Sequence, residues 1–146
     1  MPQFARPIQD IFNSNWENQS GAVPNTYQSV DEVSVNDADF ARTRLSPNND
    51  VVVWKLSPVT DPGVSTGHIM RVRYGKDTTG GDTIDLSLEF RQNYISEVSQ
   101  GTLIGAIEAG NVPGGFIDFI FELPGAMPDL ITDYSSLFVR FIAKKV

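Results

Sequence analysis

Few residues in this chain are equipped for chemistry. The 146 residues include no cysteine and a single histidine, His68. Disulfides, thiolate metal sites, cysteine nucleophiles and multi-histidine centres are therefore excluded. A Ser-His-Asp triad would have to be built on His68, and no G-x-S-x-G elbow accompanies it. Beside Gly67, at the start of an alternating run, His68 reads as a capping or hydrogen-bonding residue. Four acids lie close together, Asp31, Glu32, Asp37 and Asp39. Carboxylates at that density suit calcium, which takes roughly six to eight oxygen ligands, but the glycine and closing glutamate of an EF-hand loop are missing. The cluster reads first as a solvated acidic turn, with ion binding as the alternative. Eighteen Asp and Glu residues supply many conceivable carboxylate pairs for glycoside hydrolysis, and no spacing selects one. No catalytic residue, metal ligand or cofactor is assigned, and the chain is expected not to be an enzyme.

Eleven Lys and Arg against those eighteen acids give a net charge of −7, which opposes attraction to phosphate backbones and anionic membranes. Neither nucleic acid nor a membrane is an expected partner. The opening stretch MPQFARPIQDIF has no basic leader followed by an apolar core, and no apolar run approaches the ~20 residues of a spanning helix. With 40% hydrophobic and 10% aromatic residues, a chain of this length is expected to bury an ordinary single-domain core.

The elements that must position any site are strands. Gly67 to Gln92 holds two alternating runs around a polar, glycine-paired break, which predicts a β-hairpin: Met70, Val72 and Tyr74 face one way and Arg71 and Arg73 the other, while Ile84, Leu86, Leu88 and Phe90 oppose Asp85, Ser87, Glu89 and Arg91. Cross-strand pairing of Arg71 and Arg73 with Asp85 and Glu89 is expected on the wet face. VVVWKLS, Val51 to Ser57, predicts a strand buried on both faces. The stretch from Ser57 to Gly67 is a loop set by Pro58, Pro62 and Gly63. Thr26 to Leu45 predicts short strands joined by a turn at Asn36 and Asp37. Beyond the hairpin come a turn and a strand through Leu103 and Ile107, then FIDFIFEL, one short helical turn over Asp129 to Tyr134, and a closing strand in SLFVRFIAKKV, whose basic end discourages edge pairing. Seven or eight short strands point to an all-β, antiparallel two-sheet β-sandwich.

Two regions are candidates for binding. Residues 1–25 mix Phe4, Ile8, Ile11, Phe12 and Trp16 with proline and asparagine, which predicts an N-terminal arm and edge segment ahead of a sandwich domain at 26–146. Either Phe12 and Trp16 complete the core of the domain or the arm packs on a neighbour. The second region is the pair Phe116 and Ile120, placed by alternation on the nominally wet side of their strand. Phe4, Arg6, Ile8, Phe12, Trp16, Phe116 and Ile120 are the candidate interaction residues.

The stretches DEVSVNDADF, DPGVSTGHIMRVRY, GGDTIDLSLEF and ITDYSSLFVRFIA, in that order between Asp31 and Ala143, resemble a structural module of tailed-bacteriophage virion proteins. The Asp61-to-His68 loop ahead of an arginine-rich strand and the Thr132-to-Tyr134 element ahead of the last strand carry the resemblance. It implies jelly-roll topology, and the near absence of anything besides the module implies a head decoration (cement) protein on the capsid exterior. Such a protein would be a homotrimer bound to the major capsid protein. A tail or fibre piece, or another carbohydrate-binding jelly-roll module with Trp16, Tyr27 and Trp54 as an aromatic platform, is the alternative.

Overall fold

The computed structural model describes residues 2–23 and 25–146; Met1 and Pro24, both in the stretch read as an arm, lie outside the described residues. Among the described residues nine strands follow in order: β1 (Pro7–Asn13), β2 (Trp16–Asn18), β3 (Ala41–Thr43), β4 (Asn48–Leu56), β5 (Ile69–Tyr74), β6 (Ile84–Gln92), β7 (Thr102–Ala109), β8 (Ile117–Glu122) and β9 (Leu137–Lys145). They form one five-stranded sheet of order β1-β4-β9-β6-β7 and two ribbons, β2-β3 and β5-β8. Every pairing between named strands is antiparallel. The chain is all-β, and no helix among the described residues is long and apolar enough to cross a membrane.

The predicted hairpin does not exist. β5 pairs with β8, Ile69 opposite Glu122 and Tyr74 opposite Ile117, while β6 lies in the large sheet between β9 and β7. Alternation states which face a side chain takes but not which strand lies alongside. The residues from Gly75 to Thr83 exceed the two to five or so that close a tight hairpin, and they carry the chain from one sheet to another. The expected pairing of Arg71 and Arg73 with Asp85 and Glu89 fails with it. Arg73 binds Asp37 and Asp118, Asp85 accepts from the Asn111 amide, and Glu89 binds Arg91 and Arg140.

One face of the large sheet carries the main core. Val52, Trp54 and Leu56 from β4, Leu88 and Phe90 from β6 and Val139, Phe141 and Ala143 from β9 meet Trp16, Ile104 and Leu123, and the inner residues of the β5-β8 ribbon, Met70, Val72 and Phe121, pack on them. This layering is compatible with the expected sandwich. Trp54 contacts Phe141 at 5.3 Å and Trp16 edge-on at 6.4 Å between ring centroids, and each such side chain contributes roughly 1.5–3 kcal/mol by leaving water. The opposite face is not fully wet. Val51, Val53 and Phe138 are covered by Tyr94, Ile11, Phe12 and Ile142, so β4 is buried on both faces, as its β-branched run predicts.

Next to that second cluster, Arg140 extends its guanidinium to both oxygens of Glu97, 2.9 and 2.6 Å, and to Glu89 at 3.2 Å. Tyr94 donates its hydroxyl to Glu97 at 2.6 Å, and burial, with Glu97 alongside, pushes that phenol well above its ordinary range. The network pins the loop between β6 and β7 over the sheet. Gly101 closes this loop at φ +65°, where an added Cβ would sit 2.1 Å from the Gln92 carbonyl oxygen. Gly101→Ala combines left-handed strain with a backbone clash and is expected to cost at least about 2 kcal/mol, read as a shifted urea midpoint at unchanged slope.

Two local expectations are revised. Between Thr26 and Leu45 only Ala41–Thr43 is a strand, and Thr26–Ser29 is a 3-10 turn. The Asp10 carboxylate on β1 accepts the Thr26 and Tyr27 amides, each at 2.8 Å, and satisfies donors at the start of that turn. The helical turn expected over Asp129 to Tyr134 is instead a 3-10 turn at Pro128–Leu130. Pro128 presets φ at its start, and Asp133 then draws the Ser135 amide onto its own side chain at 2.9 Å, so the helix does not continue.

Candidate interaction surface

Alternation along the β5-β8 ribbon turns Ile69, Arg71 and Arg73 outward beside Glu122, Ile120 and Asp118, with Phe116 just ahead of β8 on the same side. Ile120 is 64% exposed and Phe116 39%, and Ile69 is exposed as well. Arg73 is fixed. Its Nε and Nη2 reach the two oxygens of Asp37 at 2.6 Å each and its Nη1 reaches Asp118 at 3.0 Å. Its guanidinium also lies 5.5 Å from the Phe116 ring centroid, and the Phe40 ring meets Phe116 at a tilt with centroids 5.9 Å apart. These hydrogen bonds hold Asp37 below the ordinary carboxylate range and raise Arg73 further above its own. An exposed bidentate pair contributes little to stability, but here it orients an aromatic ring. Arg71, opposite Ile120, makes no hydrogen bond or ion pair among the described residues. The outcome is a stiff surface of apolar side chains with one fixed and one open arginine, the composition in which interface anchors are enriched.

The N-terminal candidates divide. Phe4 is exposed beneath the Arg6 guanidinium at 5.4 Å, and Arg6 itself reaches the Glu32 carbonyl at 2.5 Å. Ile8 is exposed on β1, and Phe12 is half-buried against the second cluster. Trp16 is 7% exposed inside the main core and donates its indole N–H to the Asp50 carbonyl at 3.0 Å, so it has no face left for a partner. Of the two accounts open for Phe12 and Trp16, the packing favours completion of the core. Trp54 is buried likewise and bonds Thr26 at 3.0 Å. With both tryptophans inside and Tyr27 half-buried against the main core, the three do not form an exposed aromatic platform for a sugar.

The residues considered for other chemistry are dispersed. His68 Nε2 lies 2.7 Å from the Tyr134 hydroxyl, a hydrogen-bonding role that fits its place ahead of β5. Ser65 bonds Asp129 beside a shallow cleft of about 240 Å³ whose lining includes Asp61, Val64 and Tyr134. Of the acidic stretch, Asp37 is taken by Arg73, while Glu32 Oε1 and Asp39 Oδ1 are shielded from solvent without a donor. Burial, with Asp39 and Asp31 nearby, raises the Glu32 carboxyl. Among the described residues no group of three or more His, Cys, Asp or Glu side chains is arranged to hold a metal ion.

Phe40 is a part of this surface that spacing does not single out, and Asp37 and Arg73, which it marks as an acidic turn residue and a partner of Asp85 or Glu89, meet each other here instead. Asp37 and Arg73 are 36 residues apart, and only the outward phase of Arg73 was legible. No protein-family model matches the chain, and no curated protein or solved structure matches it either.

Proposed function

We propose that this chain is a virion structural protein of the tailed-bacteriophage decoration type, a jelly-roll β-sandwich that docks on the capsid exterior without covalent chemistry. Its partner in this proposal is the major capsid protein, its working form a homotrimer, and its N-terminal segment, with Phe4, Arg6 and Ile8 outermost, an auxiliary contact. Neither nucleic acid nor membrane takes part. Binding only the assembled shell stabilises that shell by mass action. The observation that carries the proposal is the outer face of the β5-β8 ribbon, where Ile69, Phe116 and Ile120 stand exposed around Arg71 on a framework fixed by Arg73, Asp37 and Asp118. A tail or sugar-binding role lacks a comparable feature, because the tryptophans are inside.

Co-sedimentation with undecorated, expanded capsids of the source phage tests this. The wild-type chain is expected to pellet with capsids. Ile120→Asp, which charges an exposed position and leaves the core untouched, is expected to weaken binding by at least about tenfold. A wild-type chain that stays in the supernatant at every concentration, or an Ile120→Asp chain that binds as well as wild type, overturns the proposal or its surface respectively. Deleting residues 1–12 is not a clean test, since it removes most of an edge strand paired to β4.

A further inference from the structure

The loop between β4 and β5 and the segment that follows β8 enclose a cleft of about 240 Å³, with Asp61, Val64 and Ser65 on one side and Asp129, Ile131 and Tyr134 on the other. Three contacts tie the sides together. Ser65 donates its hydroxyl to Asp129, the Val59 amide donates to the Tyr134 carbonyl at 3.2 Å, and His68 meets the Tyr134 hydroxyl at 2.7 Å. Ile131 and the neighbouring Pro128 are buried and give the cleft an apolar base, while Tyr134, half-buried, supplies an aromatic wall. The two acids stand exposed at the rim. Asp61 accepts the Gly63 amide at 2.7 Å on Oδ1, and Asp129 accepts Ser65 on its own Oδ1. The second oxygen of each has no hydrogen bond among the described residues. Neither acid is in an ion pair there, and neither lysine nor arginine lines the cleft. Their field reaches the phenol: burial, and then Asp61 and Asp129 together, raise Tyr134 above its ordinary range.

We propose that this cleft receives a lysine or arginine side chain of a partner protein, its methylenes against Pro128, Ile131 and Tyr134 and its charged head between Asp61 and Asp129. The size fits one side chain, since pockets for drug-sized molecules run to roughly 300–1,000 Å³. Basic side chains are amphipathic in the same sense as the cleft, an apolar stem ending in a charged head that only donates hydrogen bonds. Two carboxylates with a free oxygen each are the acceptors such a head requires, and an aromatic ring alongside adds cation–π attraction. A neutral ligand would leave both charges uncompensated, and an anion would be repelled. The net charge of −7 draws a basic partner over a longer range. The cleft goes beyond the decoration proposal and does not depend on it, because its occupant is tested without capsids.

Titration of the isotope-labelled full chain with acetyl-Gly-Arg-Gly-amide and with acetyl-Gly-Lys-Gly-amide, followed through amide chemical shifts, tests the cleft. Saturable shifts are expected at Gly63, Val64, Ser65 and Asp129, with an affinity in the millimolar range that falls as salt is added. The same tripeptides carrying citrulline or norleucine in place of the basic residue keep the stem and lose the charge. They are expected to bind at least about tenfold more weakly, a comparison that requires no variant. In the double variant Asp61→Asn/Asp129→Asn the side-chain carbonyls can still accept from Gly63 and Ser65, so the walls persist while the charge is removed. Its affinity for the basic tripeptides is expected to fall at least about fivefold at an unchanged melting temperature. No saturable shift with either basic peptide, equal binding of the neutral ones, an unaffected double variant, or shifts of the same size over the acidic turn from Asp31 to Asp39 would each overturn the proposal.

Discussion

Replacing Trp16 by alanine is expected to lower the free energy of unfolding by about 3–5 kcal/mol, among the larger costs a single substitution imposes on a core. The ring meets Trp54 edge-on at 6.4 Å and Phe141 at a tilt at 6.3 Å, and its N–H is spent on the Asp50 carbonyl inside the protein. Truncation opens a cavity and also leaves that carbonyl without its indole donor, so the transfer and hydrogen-bond losses add. Chemical denaturation followed by far-ultraviolet circular dichroism checks the size of the effect. The comparison with Ile120→Asp is informative: one variant should lose stability and the other capsid binding. A Trp16→Ala chain of wild-type stability would mean that the N-terminal segment is not part of the core.

The second large effect is expected at Arg140. Its side chain is 11% exposed and serves Glu97 and Glu89 together. Arg140→Ala leaves Glu97 with the Tyr94 hydroxyl alone and Glu89 with Arg91 alone, and removing one partner of such a shielded group costs about 3 kcal/mol. The loss should depend on pH in a defined direction. Hydrogen bonding to Arg140 holds Glu97 below its ordinary value of 4.5. Its pairing therefore stabilises the fold fully above that value and is lost as the pH falls through the lowered native one. The gap between wild type and Arg140→Ala should be widest near neutrality and narrow on acidification. Urea titrations on either side of pH 4.5 measure it, and a gap that widens toward acid would show that Glu97 does not depend on Arg140.

Several strands were readable from the sequence because burial has a period. Val51 to Leu56, Ile69 to Tyr74, Ile84 to Gln92, Ile117 to Glu122 and Leu137 to Lys145 all lie where alternation or a β-branched run put them, and Phe116 and Ile120 lie on the outer side that phase assigns. What a period does not encode is the identity of the neighbour. β5 looked like the mate of β6 because they are consecutive, yet its mate is β8, and Arg73 found Asp37, not Asp85 or Glu89. The lysines that end the closing strand suggest a protected edge, but the strand lies in the middle of the large sheet, between β4 and β6. The 3-10 turn at Thr26–Ser29 was hidden for a related reason. It is held by Asp10 from a distant strand, and nothing in its own residues demands it. Trp16 belonged to the core through one long-range hydrogen bond and two aromatic contacts, none of which leaves a local signature.

The central place of β9 in the large sheet bears on the order in which the chain can fold during synthesis. A ribosome that has delivered everything through Ser136 has made β1-β4 on one side and β6-β7 on the other, with the slot between them unfilled. Both flanking strands then present open backbone edges, and the faces that carry Trp54 and Phe90 lack Val139 and Phe141. The two halves cannot become one sheet until residues 137–145 have cleared the exit tunnel. Acquisition of the fold is thus gated by its last strand, a late and non-local closure of the kind that slows β proteins and lengthens the interval in which unpaired edges are exposed to other nascent chains.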